Sequence, residues 1–398
     1  MTAEADPQVG RLRLLPLYAA GFTTAFGAHG VAASLGSAEG AVDSMISLGL
    51  LLAIYDLAEV ILKPVFGALS DRIGPRPVLL AGLFGFAAVS AGYAAVGGTA
   101  LLWVARLGQG VAASAFSPAA SALVARLGGS ARRGRAFGGY GLFKSLGYTL
   151  GPILGGVLVH FGGMRLLLGV MAAVAIVVGC WAAAAVPRVA PLPRRRQTLI
   201  DLARGLRRPT FLVPVLALAL GTAALSVGVG FVPVSGSRAG LSPIATGALV
   251  SGLAIASAVS QPLAGWALDR GRIASRPALV VGLLVIGAGL AVATQDQLIM
   301  LIAAVIMIGV GVGVITPIGF ATLADHTEPA ELGRTMGTAE IGRELGDAGG
   351  PLLVGGLAAV AGLGWGYLAL MIIVLGGAVA VGRYGRQDTR PETGAARG

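Results

Sequence analysis

The sequence is short of most things a water-soluble enzyme uses. Charged residues fill 12% of its 398 positions, against roughly 25% in an average soluble domain. Hydrophobic residues fill 56%, and a chain that apolar aggregates in water. There is one cysteine, Cys180, so no intramolecular disulfide can form, and it lies in an apolar run where it simply packs. The three histidines, His29, His160 and His326, stand in no metal-ligand spacing with Cys, Asp or Glu, so no metal is expected. Gly-x-Gly combinations are frequent among 64 glycines and carry no nucleotide signal, and no Walker lysine follows any of them. Nothing groups Ser, His and Asp for nucleophilic catalysis. A membrane enzyme or lipid-modifying protein, the remaining catalytic class, would need a reactive cluster that is not there, so the chain reads as no enzyme. Lysine is nearly absent: Lys63 and Lys144 stand alone against arginine everywhere else.

What is present is a series of apolar runs. One helical span needs about 20 apolar residues, and twelve such runs can be placed, at 14–36, 44–69, 77–97, 99–124, 136–161, 164–187, 210–233, 244–269, 277–295, 298–322, 335–361 and 365–384. The formal charge of +11 could suggest nucleic acid, but its placement argues otherwise. Basic residues gather at Arg11–Arg13, Arg72–Arg76, Arg126–Arg135, Arg188–Arg208, Arg270–Arg276, Arg334 and Arg383–Arg397, in every second gap between the runs. Arg165 and Arg238 are the exceptions. This positive-inside pattern places both termini in the cytoplasm. Met1–Pro7 lacks a basic n-region, so no cleaved signal peptide is expected. The Ala/Gly/Val/Arg bias points to a GC-rich bacterial genome, and so to a bacterial cytoplasmic (inner) membrane. The longest polar connection, Pro187 to Pro209, contains the amphipathic Leu199–Arg208, read as a short surface helix at an anionic leaflet. The expected organisation is a first six-helix half at 1–187, a cytoplasmic linker at 188–209, a second half at 210–385 and a charged tail at 386–398.

The two halves repeat. Gly67-Ala-Leu-Ser-Asp-Arg-Ile-Gly-Pro-Arg-Pro77 sits between the second and third runs, and Gly265-Trp-Ala-Leu-Asp-Arg-Gly-Arg272 between the eighth and ninth. Asp71 and Asp269 are 198 residues apart, half the chain. Gly134-Arg135 matches Gly333-Arg334, Lys144 matches Arg343, Gly147 matches Gly346, and Gly151-Pro152 matches Gly350-Pro351, each pair 199 residues apart. The loop Gly67, Asp71, Arg72, Gly74, Arg76, with Asp269 and Arg270 in the second copy, resembles the loop between the second and third helices of the major facilitator superfamily. That resemblance implies an all-α membrane protein of twelve transmembrane helices in two pseudo-symmetric halves, with a substrate cavity between them near the midplane. Pro75 departs from the pattern, where many relatives carry a basic residue.

Two further motifs bear on mechanism. Arg106-Leu-Gly-Gln-Gly110 in the fourth run resembles the superfamily's Arg-x-x-Gln-Gly motif, whose arginine is implicated in proton coupling. Arginine stays charged, so within a membrane it must face a cavity or a partner. Gly147-Tyr-Thr-Leu-Gly-Pro-Ile-Leu-Gly-Gly156 looks like the fifth-helix signature of drug–proton antiporters of the tetracycline and multidrug exporter type. Physically, Gly147, Gly151, Gly155 and Gly156 give a flat face for close packing, and Pro152 removes one backbone donor and can bend the helix.

Charges inside the runs complete the candidate site. Asp56, Glu59 and Lys63 are spaced to share one face of the second run, and Glu340, Arg343, Glu344 and Asp347 do the same in the eleventh. In the superfamily these two helices meet across the divide between the halves. Counting from the run centres, Lys63 is expected against Glu340 and Glu59 against Arg343, as a cytoplasmic gate that closes in the outward-facing state and stands apart in the inward-facing one. Asp56 and Asp347 fall nearer the midplane, with His29 and Tyr140 as further cavity candidates. Lys63 and Lys144 are each open to two readings, a structural ion pair or a switchable gate or substrate contact. The function expected is proton-coupled efflux of small organic molecules by alternating access, with a proton-coupled importer of a polar metabolite as the alternative. The expected partners are a small-molecule substrate, protons and membrane lipids, with no nucleic acid and a monomeric chain. No cofactor is expected beyond the proton gradient.

Overall fold

The structure is a computed structural model that describes residues 7–35, 44–127, 133–189, 208–326 and 332–384. Within them eleven helical elements follow one another: α1 (Pro7–Leu35), α2 (Met45–Ile73), α3 (Pro75–Val96), α4 (Thr99–Leu127), α5 (Arg133–Ala185), α6 (Pro209–Arg238), α7 (Pro243–Asp269), α8 (Ser275–Val292), α9 (Leu298–Asp325), α10 (Leu332–Ala361) and α11 (Leu363–Tyr384). No strand occurs among the described residues. The amphipathic segment 199–207 lies outside them.

α5 spans two of the expected runs. Its 53 residues would make a rod of about 80 Å at the helical rise, far longer than a hydrocarbon core of about 30 Å. The rod breaks at Gly162 (φ −151°, ψ 16°) and Gly163 (φ 63°, ψ −169°). The positive φ at Gly163 is reached without strain only because glycine has no Cβ. A first arm, 133–161, and a second arm, 164–185, result. The helix runs on through Pro152, so the pronounced break that divides α5 sits at the glycine pair and not at the proline.

Eight stretches of the described residues are long and apolar enough to cross a membrane, one of them the 44 residues of Leu142–Ala185, enough for two crossings. α1, α4 and α10 are equally long, but polar side chains interrupt them. α1 carries Thr23, Thr24 and His29; α4 carries Arg106, Gln109 and Ser114; α10 carries Glu340, Arg343, Glu344 and Asp347. In α2 the lipid-side stripe is plain: Ile46, Leu50, Leu57, Ile61, Val65, Leu69 and Ile73 are all exposed. Asp56, Glu59 and Lys63 fall off that stripe.

The turn between α2 and α3 is a single residue, Gly74, at φ 92°, and Pro75 opens α3 with the φ a helix start requires. Gly67 has a different role from the turn expected of it: it lies inside α2, and a Cβ there would meet nothing within 4 Å. Arg165, an exception to the charge pattern, starts the second arm of α5 and donates through Nη2 to the Val96 carbonyl. It satisfies the end of α3, where carbonyls lack partners and the helix dipole favours a cation.

The sequence repeat reappears as repeated contacts. Gly147 and Gly151 lie against Phe22 and Phe26 of α1, and their counterparts Gly346 and Gly350 lie against Ala219 and Ala223 of α6. Gly156 abuts Pro243 of α7, and its counterpart Gly355 abuts Met45 of α2. Gly247 of α7 abuts the Pro152 carbonyl, and Gly49 of α2 abuts that of Pro351. Residues 247 and 49 are again 198 apart.

Candidate functional site

The antiporter-like glycine face splits between two neighbours. Gly147, Gly151 and Gly155 bed α5 on α1, with Gly155 close to Gly30 and Ser34. Gly156 and the Pro152 carbonyl face α7 instead. A Cβ at Gly49 would come within 2.5 Å of the Pro351 carbonyl oxygen, and one at Gly355 within 2.7 Å of that of Met45. Side chains larger than hydrogen therefore cannot stand there while the helices are this close. Ser251 of α7 adds a hydrogen bond of 2.6 Å to the Thr149 carbonyl. Two seams, α2 with α10 and α5 with α7, are thus closed at the ends nearest Met45 and Pro243. At the far ends of α2 and α7, Gly67 and Gly265 have open space around them.

The charged residues line the α2–α10 seam. Lys63 Nζ lies 2.6 Å from Glu59 Oε2, one turn back on its own helix, and 2.5 Å from Glu344 Oε1 on α10. Both carboxylates are buried. One ammonium is therefore held between two acids from facing helices. The Lys63–Glu340 and Glu59–Arg343 contacts, expected of an outward-facing state, are not made in this one; Arg343 turns to Glu340 within α10, Nε to Oε2 2.9 Å. The reason lies in the element ends. α2 runs to Ile73, four residues past the expected end, which brings Lys63 to about 6 Å from the helix centre at about 1.5 Å per residue. On α10 it is Glu344, at about 4 Å from centre, and not Glu340, at about 10 Å, that lies at that depth. The partner is one turn further along the helix.

Asp56 and Asp347 interact electrostatically across the same seam, and Ser226 of α6 stands beside the Asp347 carboxyl. Thr222 of α6 donates to the Arg343 carbonyl at 2.9 Å, fixing this part of α10. Arg106 is 2% exposed. Its Nε donates to the Leu51 carbonyl at 3.1 Å, its guanidinium stands 4.6 Å over the Tyr55 ring, and its Nη1 has no partner. Tyr55 Oη and Glu59 Oε1 are likewise buried and unpartnered. The α2–α4 contact thus holds polar capacity in reserve beside the Lys63 bridge.

Lys144 stands on the other wall. Its Nζ is 6.0 Å from the Tyr140 ring and 5.8 Å from that of Tyr148, one turn to either side. The Tyr148 ring is 4.4 Å from His29 of α1, and Tyr140 is buried against Gly21. Neither Tyr148 nor Tyr55 stands out in the sequence. The signal available for Tyr148 is its spacing of four from Lys144; Tyr55 had none, since its partner comes from α4.

Among the loop residues, Arg76 donates through Nη2 to the Ala183 carbonyl at 2.6 Å, tying α3 to the second arm of α5. Arg270 and Arg272 both stack on Trp266 at 4.4 Å, and Arg72 is exposed. The side chains of Asp71 and Asp269 lie outside the described residues. No cluster of His, Cys, Asp and Glu suited to a metal occurs among the described residues.

These features agree with what the chain resembles. A family profile described as Major Facilitator Superfamily matches residues 17–270 and 216–398. The chain belongs to the Major Facilitator Superfamily. It is 40% identical over 119 residues to the tetracycline resistance protein, class C, of Escherichia coli, 29% of each chain. It is 34% identical over 128 residues to a multidrug resistance protein B homolog of Mycobacterium tuberculosis, 32% of this chain and 23% of that one. The matched stretches thus span less than a third of those relatives. Two solved structures share the fold along nearly the whole chain. A bacterial homolog of the human lysosomal transporter Spinster, inward-facing and unoccupied, superposes with a TM-score of 0.80 at 16% identity, over 98% of this chain and 100% of that one. A POT family transporter in complex with 5-aminolevulinic acid does so with a TM-score of 0.80 at 13% identity, over 95% and 96%.

Proposed function

We propose that this chain is a secondary transporter that exports small organic molecules in exchange for protons by alternating access. The observation that carries the proposal is the Lys63 bridge, an ammonium shared between Glu59 of α2 and Glu344 of α10 at the inner border of a glycine-lined seam. Two carboxylates about one ammonium leave a net negative charge that a proton can cancel. A proton on either acid loosens the bridge, and a seam that closes only through glycine contact can then part. The facing carboxyl groups of Asp56 and Asp347 offer a second place for a proton to board or leave. Arg106, buried among Leu51 and Tyr55, keeps a fixed positive charge beside this path. The relatives, named for tetracycline and multidrug resistance, support export of organic molecules rather than catalysis.

In this reading the break in α5 makes two crossings, giving twelve in all. The halves are 1–187 and 210–385, joined by the linker 188–209 and followed by the tail 386–398, and the repeated contacts at an offset of 198 or 199 support the division. The arginine asymmetry puts both termini in the cytoplasm of a bacterial cell, with the chain in its inner membrane. The closed ends near Met45 and Pro243 then face outward, and this is an inward-facing form. The chain works as a monomer, takes its energy from the proton gradient and needs no cofactor.

Transport into proteoliposomes with an imposed pH gradient, run against a panel of organic compounds, tests the proposal. Substrate should move opposite to protons. Movement with protons would make the chain an importer, and movement of no compound under any gradient would sink transport itself.

A further inference from the structure

The two lysines occupy opposite electrostatic settings. Lys63 touches two carboxylates. Lys144 has no carboxylate partner among the described residues; its neighbours are the rings of Tyr140 and Tyr148. The repeat shows how this came about. Lys144 corresponds to Arg343 at the offset of 199. Arg343 lies among the acids Glu340, Glu344 and Asp347, whereas the matching positions beside Lys144 are Gly141, Ser145 and Tyr148. The copy of this helix that contains Lys144 keeps the cation and carries none of the three acids that surround Arg343.

Among the described residues no carboxylate forms an ion pair or hydrogen bond with Lys144. The groups that act on Lys144 electrostatically from the facing helices, Arg343 and Lys63, are both cations. His29 stands on the same wall with its Nδ1 buried and unpartnered, and so does the Tyr140 hydroxyl. A cation within a membrane protein is costly unless it faces a partner or a cavity. Here the cation, two unpartnered polar atoms and two aromatic faces converge between α1 and α5, opposite α10.

We infer that Lys144, His29, Tyr140 and Tyr148 form the binding subsite for the acidic group of an organic anion whose body is flat and aromatic. Lys144 meets the negative charge, with Arg343 reinforcing it from α10. The Tyr140 hydroxyl and His29 Nδ1 offer hydrogen bonds to the same group. Tyr148, already in contact with His29, presents a ring face to the body. The inference names the substrate class of the transporter proposed above and so rests on the transport reading.

The test is equilibrium binding to the purified full chain in lipid nanodiscs, with matched probes that differ only in charge: 2-naphthoate against 2-naphthamide, and salicylate against salicylamide. Each anion should bind at least about tenfold more tightly than its amide, the scale of a hydrogen bond to a charged group. Lys144→Gln should remove that preference and weaken amide binding by no more than about tenfold, the worth of one neutral hydrogen bond, while Lys144→Arg keeps the preference because it keeps the charge. A role confined to holding the tyrosines in place would weaken anion and amide alike. Equal affinity for anion and amide in the unaltered protein, no binding of either anion, or an anion preference that survives Lys144→Gln would each overturn the inference. The proteoliposome panel separates the two levels: export of neutral compounds without anion preference leaves transport standing and removes the anion subsite. A nanodisc sample of Lys144→Gln that elutes and melts like the parent excludes misfolding as the cause.

Discussion

Lys63 and Lys144 are chemically the same side chain set into one membrane bundle, and their surroundings could hardly differ more. Lys63 is over-neutralised: two carboxylates converge on it, one from its own helix and one from across the seam. Lys144 is under-neutralised: among the described residues its contacts are aromatic faces, and Arg343 and Lys63 act on it as further cations. The first arrangement ties two helices together and can be undone by a proton. The second can be completed only by a negative charge from outside the chain. The repeat makes the contrast informative, because the position of Lys144 in the second half, Arg343, is pinned to Glu340. Two copies of one helical frame thus carry a charge network on one side and a bare cation on the other.

The largest effect should come from breaking the bridge. Glu344→Ala leaves the positive charge of Lys63 with one acid and removes the ion pair it makes across the seam. Removing one partner of a buried pair costs about 3–5 kcal/mol in general. Lys63 is partly exposed, so the lower end of that range is expected. Transport should fall by about a hundredfold or more at that cost, since about 1.4 kcal/mol is a factor of ten. The exchange Lys63→Glu with Glu344→Lys restores opposite charges across the seam and should recover part of the activity. A double variant no better than the singles would mean that the bridge is not the coupling element. The next effect comes from Gly247→Val, which puts a side chain where the Pro152 carbonyl now abuts the helix. The chain should still fold, because the obstruction lies between helices that separate during the cycle. Spin labels near Met45 and Pro351 should move apart, and transport should slow by about tenfold or more, the penalty of forcing bulk into close-packed contacts being about 1–3 kcal/mol.

Much of the bundle was legible in the sequence. Apart from α1, which starts seven residues early, the ends of the apolar runs match those of the helices to within five residues, since about 20 apolar residues leave little choice of structure in lipid. The shared face of Asp56, Glu59 and Lys63 followed from helical spacing alone. The cross-seam partner did not. A difference of a few residues in where α2 ends shifts Lys63 by most of a turn, and that shift exchanges Glu340 for Glu344. The break at Gly162–Gly163 falls in the gap between the runs 136–161 and 164–187, the first of which already passes through Pro152. The environment of Lys144 was half legible: Tyr140 and Tyr148 flank it at a spacing of four, but His29 comes from α1, and sequence spacing is silent on contacts between helices.

The comparison can also be sharpened by making Lys144 resemble Lys63. Tyr148→Glu places a carboxylate one turn from Lys144, the spacing at which Glu59 holds Lys63. A bound anion would then compete with an internal one. The preference of 2-naphthoate over 2-naphthamide should fall by about tenfold, consistent with the worth of a charge-assisted hydrogen bond. A preference that remains intact would show that Lys144 is not the group that reads the charge.

The smallest effect expected is that of Lys144→Gln on stability, and set beside Lys63→Gln it separates the two lysines most cleanly. Lys63→Gln leaves Glu59 and Glu344 facing each other without their cation, so unfolding in detergent micelles should cost several kcal/mol less than in the parent, on the scale of a broken buried pair at about 3–5 kcal/mol. Lys144→Gln loses cation–π contacts worth about 0.5–1 kcal/mol each at partly exposed sites. It also removes an unneutralised charge whose burial is itself unfavourable, and the two terms oppose one another. The net change should stay within about 1 kcal/mol, the range of substitutions that break no partnered group. Melting curves of the two variants, recorded in the same micelle without added ligand, give the comparison directly. Equal losses would show that Lys144 has a structural partner after all. A loss confined to Lys63→Gln, with Lys144→Gln felt only when an anion is present, would mark the first lysine as a bridge and the second as a receptor for charge.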